Sequence, residues 1–296
     1  MTTTLTIDHP GWLTGPAGDP VRLVVHNGVA WLADWQPAAG LILRPVGTDH
    51  TTTATAPPAP HTSPHTLPVT PDAAPLVNEF ATLGNVQRLT NPSLWDAITT
   101  AILRQVVRAE QARKVYRRWC ANHGRTVETP LGALSLAPDP ATVLGLPDEA
   151  FAEAGTAFHR TALRAAAIAY TENQAAWGQL APEDLMKALD EVPRIGPWTA
   201  SAATADYTGD FSVYPHGDLA VRTWVRRALP DLRLPDADRP FANEWRRFAN
   251  SNRTQLHALT LFALTWGSHA RTDQHEHAAP PDNHAGTADI HPDHGS

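Results

Sequence analysis

The chain has 296 residues, 42% of them hydrophobic, with one cysteine and a net charge of −7. That is enough apolar material for one large domain or two to three smaller ones. No apolar run reaches 18 residues, Met1 to Leu5 lacks a basic and apolar leader, and a lone Cys120 excludes an internal disulfide or a four-cysteine cluster.

Residues 21–35, VRLVVHNGVAWLADW, predict a β-hairpin turning at Asn27-Gly28, and residues 40–46 predict a further strand. Residues 1–47 therefore read as a small β-rich module. Residues 48–71 are rich in Thr, Pro, Ala and His, without apolar periodicity, and read as a flexible linker. From Asp72 the pattern turns helical. The spacing predicts helices over 75–83, from Asn91-Pro92-Ser93 through Ile102, and over 110–122, 140–144, 148–154 and 160–170. Further helices are predicted over 183–189, 199–207, 219–228 and, as one piece, 243–266. The helical body is assigned to 72–270. The His-rich tail 271–296 reads as disorder, with metal binding as the weaker alternative.

The net charge argues against a nucleic-acid partner less than it first suggests. Residues 91–270 carry 19 basic and 19 acidic side chains, with clusters at Arg104, Arg108, Arg113, Lys114, Arg117 and Arg118 and at Arg222, Arg226 and Arg227. DNA binding needs a basic face rather than a basic total. Solvated helix faces are the plain alternative.

Between residues 186 and 222 a helix, a Pro/Gly turn (Val192-Pro193-Arg194-Ile195-Gly196-Pro197) and a small-residue helix are followed by Asp218 at the start of another helix. Backbone N–H groups and the helix dipole at such a turn suit a phosphate oxygen. Asp218 lies twenty residues after Trp198, and on its own would read as a helix N-cap.

The stretch Leu189 to Ala200 resembles the hairpin of the helix-hairpin-helix (HhH-GPD) DNA glycosylase superfamily. Pro215-His216-Gly217-Asp218-Leu219 resembles its catalytic-aspartate segment, and Ser93 to Ile98 with Ala101 to Gln105 resembles its first core helix and DNA-wedge region. The resemblance covers about 180 residues and is nearest to the alkylpurine (AlkA-like, 3-methyladenine glycosylase II) branch. It implies a mainly α, two-lobed helical HhH-GPD fold with the small β-rich N-terminal module.

The activity implied is hydrolysis of the N-glycosidic bond of a flipped, alkylated base. Another lesion (uracil, an oxidised purine, a bulky adduct) and a non-catalytic DNA-binding protein are the alternatives. Asp218 would stabilise the sugar cation. Trp198 stands where bifunctional relatives carry a nucleophilic lysine, which implies no lyase activity; the nearest lysine is Lys187. Trp198, Trp266, Tyr214 and His216 are base-pocket candidates, although both tryptophans also read as core and His216 as an ordinary loop histidine. Ala202 is small where the branch has an aromatic residue.

For DNA, the resemblance assigns Gln105 and Val106 to the wedge, Arg104 to a DNA contact or to solvent, and Val192, Arg194, Gly196 and Thr199 to the hairpin grip. Arg194 replaces the usual glycine. Hairpins of this type often hold K+ or Na+ on backbone carbonyls, here those near Val192 and Ile195; no other cofactor is implied. The partner implied is damaged double-stranded DNA, and a monomer in the cytoplasm, near the nucleoid, is expected.

Overall fold

The computed structural model describes residues 2–47 and 54–277, with side chains as far as Ala270. Strands β1 (Thr3–Leu5), β2 (Leu13–Thr14), β3 (Pro20–His26), β4 (Val29–Gln36) and β5 (Gly40–Val46) open the chain. The last four form an antiparallel sheet in sequence order. Asn27 and Gly28 take φ +50° and +78° between β3 and β4, the two positive angles that a type I′ turn requires. The register sets Val24 opposite Trp31, and both side chains are buried with Leu5, Trp12, Ala33 and Leu89.

The stretch read as a flexible linker is packed from Ala54 onward, which corrects that expectation for its described part. Strand β6 (His61–Thr62) pairs with β7 (Asn85–Gln87), and β1 pairs with the other edge of β7, in parallel. Leu67 is 2% exposed and sits in the helical core, and the Thr70 hydroxyl donates to the Phe248 carbonyl at 2.7 Å. Composition gave no hint of this, because the backbone bonds come from a partner strand far along the chain. The β module is thus laced to the helical body by β1, and by the Thr6 and Thr265 hydroxyls, which lie 2.8 Å apart.

Helix α1 (Ala74–Phe80) precedes β7, and α2 (Leu94–Leu103) follows it. The Ser93 hydroxyl accepts from the Asp96 N–H and caps α2, which is buried nearly all round, as expected for a central helix. Then come α3 (Ala109–His123), a hairpin of β8 (Thr126–Thr129) and β9 (Gly132–Ser135), α4 (Pro140–Gly145), α5 (Asp148–Glu153), α6 (Arg160–Trp177), α7 (Pro182–Asp190) and α8 (Pro197–Thr208). Buried Ala200, Ala202, Ala203 and Ala205 let α8 lie close against α2 and α7. Helices α9 (Leu219–Ala228), α10 (Asp238–Phe248) and α11 (Arg253–His277) complete the described chain.

The single helix expected over 243–266 is two. Asn250 and Ser251 take φ +48° and +54°, and the reversal lets Trp245 on α10 donate to the Thr260 hydroxyl on α11 at 3.0 Å. Helix α11 also runs to His277, into the segment expected to be disordered; residues 278–296 lie outside the described residues.

A buried polar network joins the β module to the helices. Asp96 accepts from Arg22 at 3.3 Å, Asn91 at 3.1 Å and Tyr116 at 2.7 Å. Asp206 accepts from Arg88 and, at 2.8 Å, from Asn91. Burial and then the Arg22 charge push the His9 pKa down, so His9 is neutral here. Burial alone would raise Asp206, but Arg88 foremost holds its carboxyl well below the usual carboxylate range.

Candidate active site

Helix α7, a tight turn and α8 form the hairpin. Val192 and Ile195 are buried and anchor the turn, and the Ile195 N–H donates to the Val192 carbonyl at 3.0 Å. The left-handed position is Arg194, at φ +72° and exposed, not Gly196, whose φ is −98°. A side chain costs about 1–2 kcal/mol in that region, which accounts for glycine there in the family pattern. Space is open where a Cβ on Gly196 would stand, so a ligand can approach that backbone closely. Pro197, which lacks an N–H, takes the first position of α8, where a donor would go unused. Thr199 and Val192 are buried, so neither side chain presents itself at the surface.

Trp198, on the first turn of α8, faces Asp218 at the N-cap of α9. The Trp198 indole N–H donates to Asp218 Oδ1 at 2.9 Å, and the Tyr214 hydroxyl donates to Oδ2 at 2.9 Å. The Asp218 side chain makes no capping bond to α9. The carboxylate is therefore aimed across the fold rather than at its own helix, which removes the simple N-cap reading. Burial first, and the neighbouring Asp218 charge next, raise the Tyr214 pKa well above that of an ordinary phenol. Tyr214 thus stays a proton donor to Asp218.

A cavity of about 480 Å³ opens beside this pair, lined by Arg104, Arg108, Trp198, Asp218, Thr223 and Trp224 among others. That is within the size range of small-ligand sites. Arg104 ends α2, and its guanidinium lies 5.9 Å from the centre of the Trp198 ring. Burial lowers its pKa, but the surrounding Tyr214, Asp8, Asp218 and Asp206 outweigh that, and Arg104 is held charged. A smaller recess shares Arg104, Ala109, Ala112, Ala220 and Trp224 with the main cavity and is closed by Asp8, Pro10, Arg113 and Leu264.

Past Arg104 the chain forms an exposed tip. Val106 is 90% exposed and takes φ +61°, an outlying conformation for a β-branched residue. Gln105 braces the tip against the hairpin, donating to the Thr199 hydroxyl at 2.7 Å and to the Arg194 carbonyl at 3.4 Å. Tip and hairpin are thus joined through the Gln105 side chain.

Three expected pocket residues do not line the cavity; one of them, Tyr214, is buried, and its hydroxyl reaches only Asp218. Trp266 donates its indole N–H to Glu79 at 2.9 Å and packs against the helical core. His216 is 4% exposed, and burial, followed by the Arg246 charge, pushes its pKa down to about 4. Ala202, too, is packed inside the core. Three lining residues were not foreseen as such. Trp224 lies one and a half turns along α9 from Asp218, and a Cβ on Gly267 would run into its ring, so Gly267 is the slot that seats it. Arg104 was read as a DNA contact or as solvent-facing. Asp8 comes from the β module and carries no motif.

No protein-family model matches the chain, and no curated protein matches it in sequence. Solved structures do. MBOgg1 in complex with a low-affinity DNA ligand superposes with a TM-score of 0.66 at 14% identity, covering 90% of each chain. The 3-methyladenine DNA-glycosylase from Archaeoglobus fulgidus gives 0.64 at 19% identity, covering 86% of this chain and 89% of that one. The Clostridium acetobutylicum 8-oxoguanine glycosylase/lyase bound to double-stranded DNA gives 0.61 at 12% identity, covering 91% and 90%. The chain has the fold of the helix-hairpin-helix DNA glycosylases.

Proposed function

We propose that the chain is a monofunctional DNA glycosylase, hydrolysing the N-glycosidic bond of a damaged base flipped out of duplex DNA. The observation that carries this reading is the Asp218 carboxylate, fixed between the Trp198 N–H and the Tyr214 O–H at the wall of the cavity. Cleaving the bond builds positive charge on the deoxyribose. An anion held in place by two donors stabilises that charge without reorganising, and can orient the attacking water. An indole cannot attack C1′, and among the described residues no lysine lines the cavity. Lys187 is paired with Asp184 at 3.1 Å on the surface.

DNA would be gripped by the backbone around Gly196 with Arg194 beside it, while Val106 enters the stack where the base has left. K+ or Na+ on the carbonyls of Val192 and Ile195 would add positive charge to the grip. An alkylated, cationic base would meet aromatic walls at Trp198 and Trp224, but also the fixed charge of Arg104. Damaged double-stranded DNA is the partner in this reading, with the protein acting as a monomer. Among the described residues no helix is long and apolar enough to cross a membrane.

Duplex oligonucleotides with single lesions test this directly. Base release that disappears in Asp218→Asn, with no covalent complex trapped by borohydride, is the expected result. No release from any lesion refutes the enzyme reading. Release that survives Asp218→Asn refutes the mechanism, and a trapped complex refutes the monofunctional assignment.

A further inference from the structure

We propose that Arg104 and Asp8 form a donor–acceptor pair that selects a neutral base with a lactam edge, a carbonyl beside a ring N–H, over a cationic alkylated base. The inference rests on the glycosylase reading and names its substrate class.

Arg104 lines both the main cavity and its inner recess. It has five N–H donors, yet among the described residues its guanidinium makes no hydrogen bond and no ion pair within 4 Å. The Trp198 ring stands on one side of it. A half-buried guanidinium with its donors unspent at a cavity wall is complementary to an oxygen that arrives with the ligand.

Asp8 stands at the recess, its carboxylate only 14% exposed. Its hydrogen bonds are to Arg88, and both are long, at 3.5 Å. Good N–H to carboxylate bonds are near 2.8 Å, so Asp8 keeps acceptor capacity for a donor inside the recess. Donor and acceptor together match the C=O and N–H of a lactam. An amino-edged base such as adenine presents a donor to Arg104 instead.

Charge points the same way. Arg104 places a fixed positive charge 5.9 Å from the centre of the Trp198 ring, which offsets the attraction that the Asp218 and Asp8 carboxylates would offer a cationic base. A neutral base departs with the electron pair of the C1′–N bond and becomes an anion. Arg104 stabilises that anion as it forms. The departing base then takes a proton from solvent. Water adds its hydroxyl to C1′, and the proton it loses passes by way of Asp218 to solvent. No further co-reactant is needed.

The test compares three single lesions in duplex DNA: hypoxanthine (neutral, lactam edge), 1,N6-ethenoadenine (neutral, no lactam) and 7-methylguanine (lactam edge, fixed positive charge). The wild-type protein is expected to release hypoxanthine with the highest kcat/KM. Arg104→Met should lower the hypoxanthine to 7-methylguanine ratio by about 10–100-fold, the range for one charged hydrogen bond. Arg104→Lys should restore part of that ratio, which a merely structural role would not. Asp8→Asn, a near-isosteric change, should lower the hypoxanthine to ethenoadenine ratio. Affinity for abasic-site DNA, measured on each variant, reports a folded protein. Wild-type protein that prefers 7-methylguanine, or ratios unmoved in folded Arg104→Met and Asp8→Asn, overturns the proposal and leaves the glycosylase reading standing. No release from any lesion overturns both.

Discussion

Val106→Gly should make the protein more stable and less active. Val106 sits at φ +61° with its side chain 90% exposed, so truncating it removes almost no packing. A left-handed, β-branched residue stores about 1–2 kcal/mol of strain. Glycine gives back roughly 0.5–1 kcal/mol through the greater freedom of its unfolded chain. The net stabilisation is about 0.5–1 kcal/mol, a rise in Tm of roughly 1–3 °C for a protein of this size. In base-release assays kcat/KM on duplex DNA should fall about 10–100-fold, because extruding a stacked base costs a few kcal/mol and nothing then fills the gap. On single-stranded DNA, where less stacking is lost, the decrease should be smaller. Calorimetry and single-turnover kinetics on both substrates settle the matter. A Tm lowered by more than about 2 °C, or duplex activity within twofold of the wild type, would refute the assignment of a strained wedge.

Arg194→Gly relieves another positive φ; Tm should rise by a few degrees, and the slope of log K for DNA against log salt should shrink by about 0.9 if Arg194 meets one phosphate. An unchanged slope places Arg194 off the DNA. Tyr214→Phe removes one of the two donors to Asp218 and should lower kcat about tenfold, the worth of a hydrogen bond to a charged group, with KM little changed. Unaltered kcat would mean that Trp198 alone positions the carboxylate. His216 has its pKa lowered from 6.5 to about 4, so the native state resists its protonation. Its contribution to stability is complete above pH 6.5 and is lost as pH falls towards 4, by roughly 3 kcal/mol in all. Denaturant titrations over that window should show the loss, and His216→Gln should flatten it; parallel profiles would refute it.

Much of the helical body is legible in the sequence because its signals are local. Ser93 caps α2, Asn27-Gly28 makes its hairpin, and the apolar spacing of α2 follows from its central place. Strands β1, β6 and β7 are two or three residues long, too short for any period, and exist only because chain segments far apart meet. The break between α10 and α11 has no Gly or Pro; Asn250 and Ser251 accept left-handed angles because the reversal buries Trp245 against Thr260. In the site, Asp218 and Trp198 could be assigned by their place in a motif. Asp8, Arg104 and Trp224 could not, since their roles depend on which wall of a cavity each residue reaches. Trp266 and His216 misled for the same reason: an aromatic residue near a motif reads alike whether it faces a ligand or the core.

The walls of the recess beside the candidate cavity are drawn from both extremes of the described chain. Asp8 follows the first strand, while Leu264 lies on α11. During synthesis the hairpin and Asp218 leave the ribosome before the recess can close. A chain that has emerged only as far as Asp218 has the hairpin but not yet the closed recess. Segments on either side of the hairpin must therefore both be in place before the recess is complete.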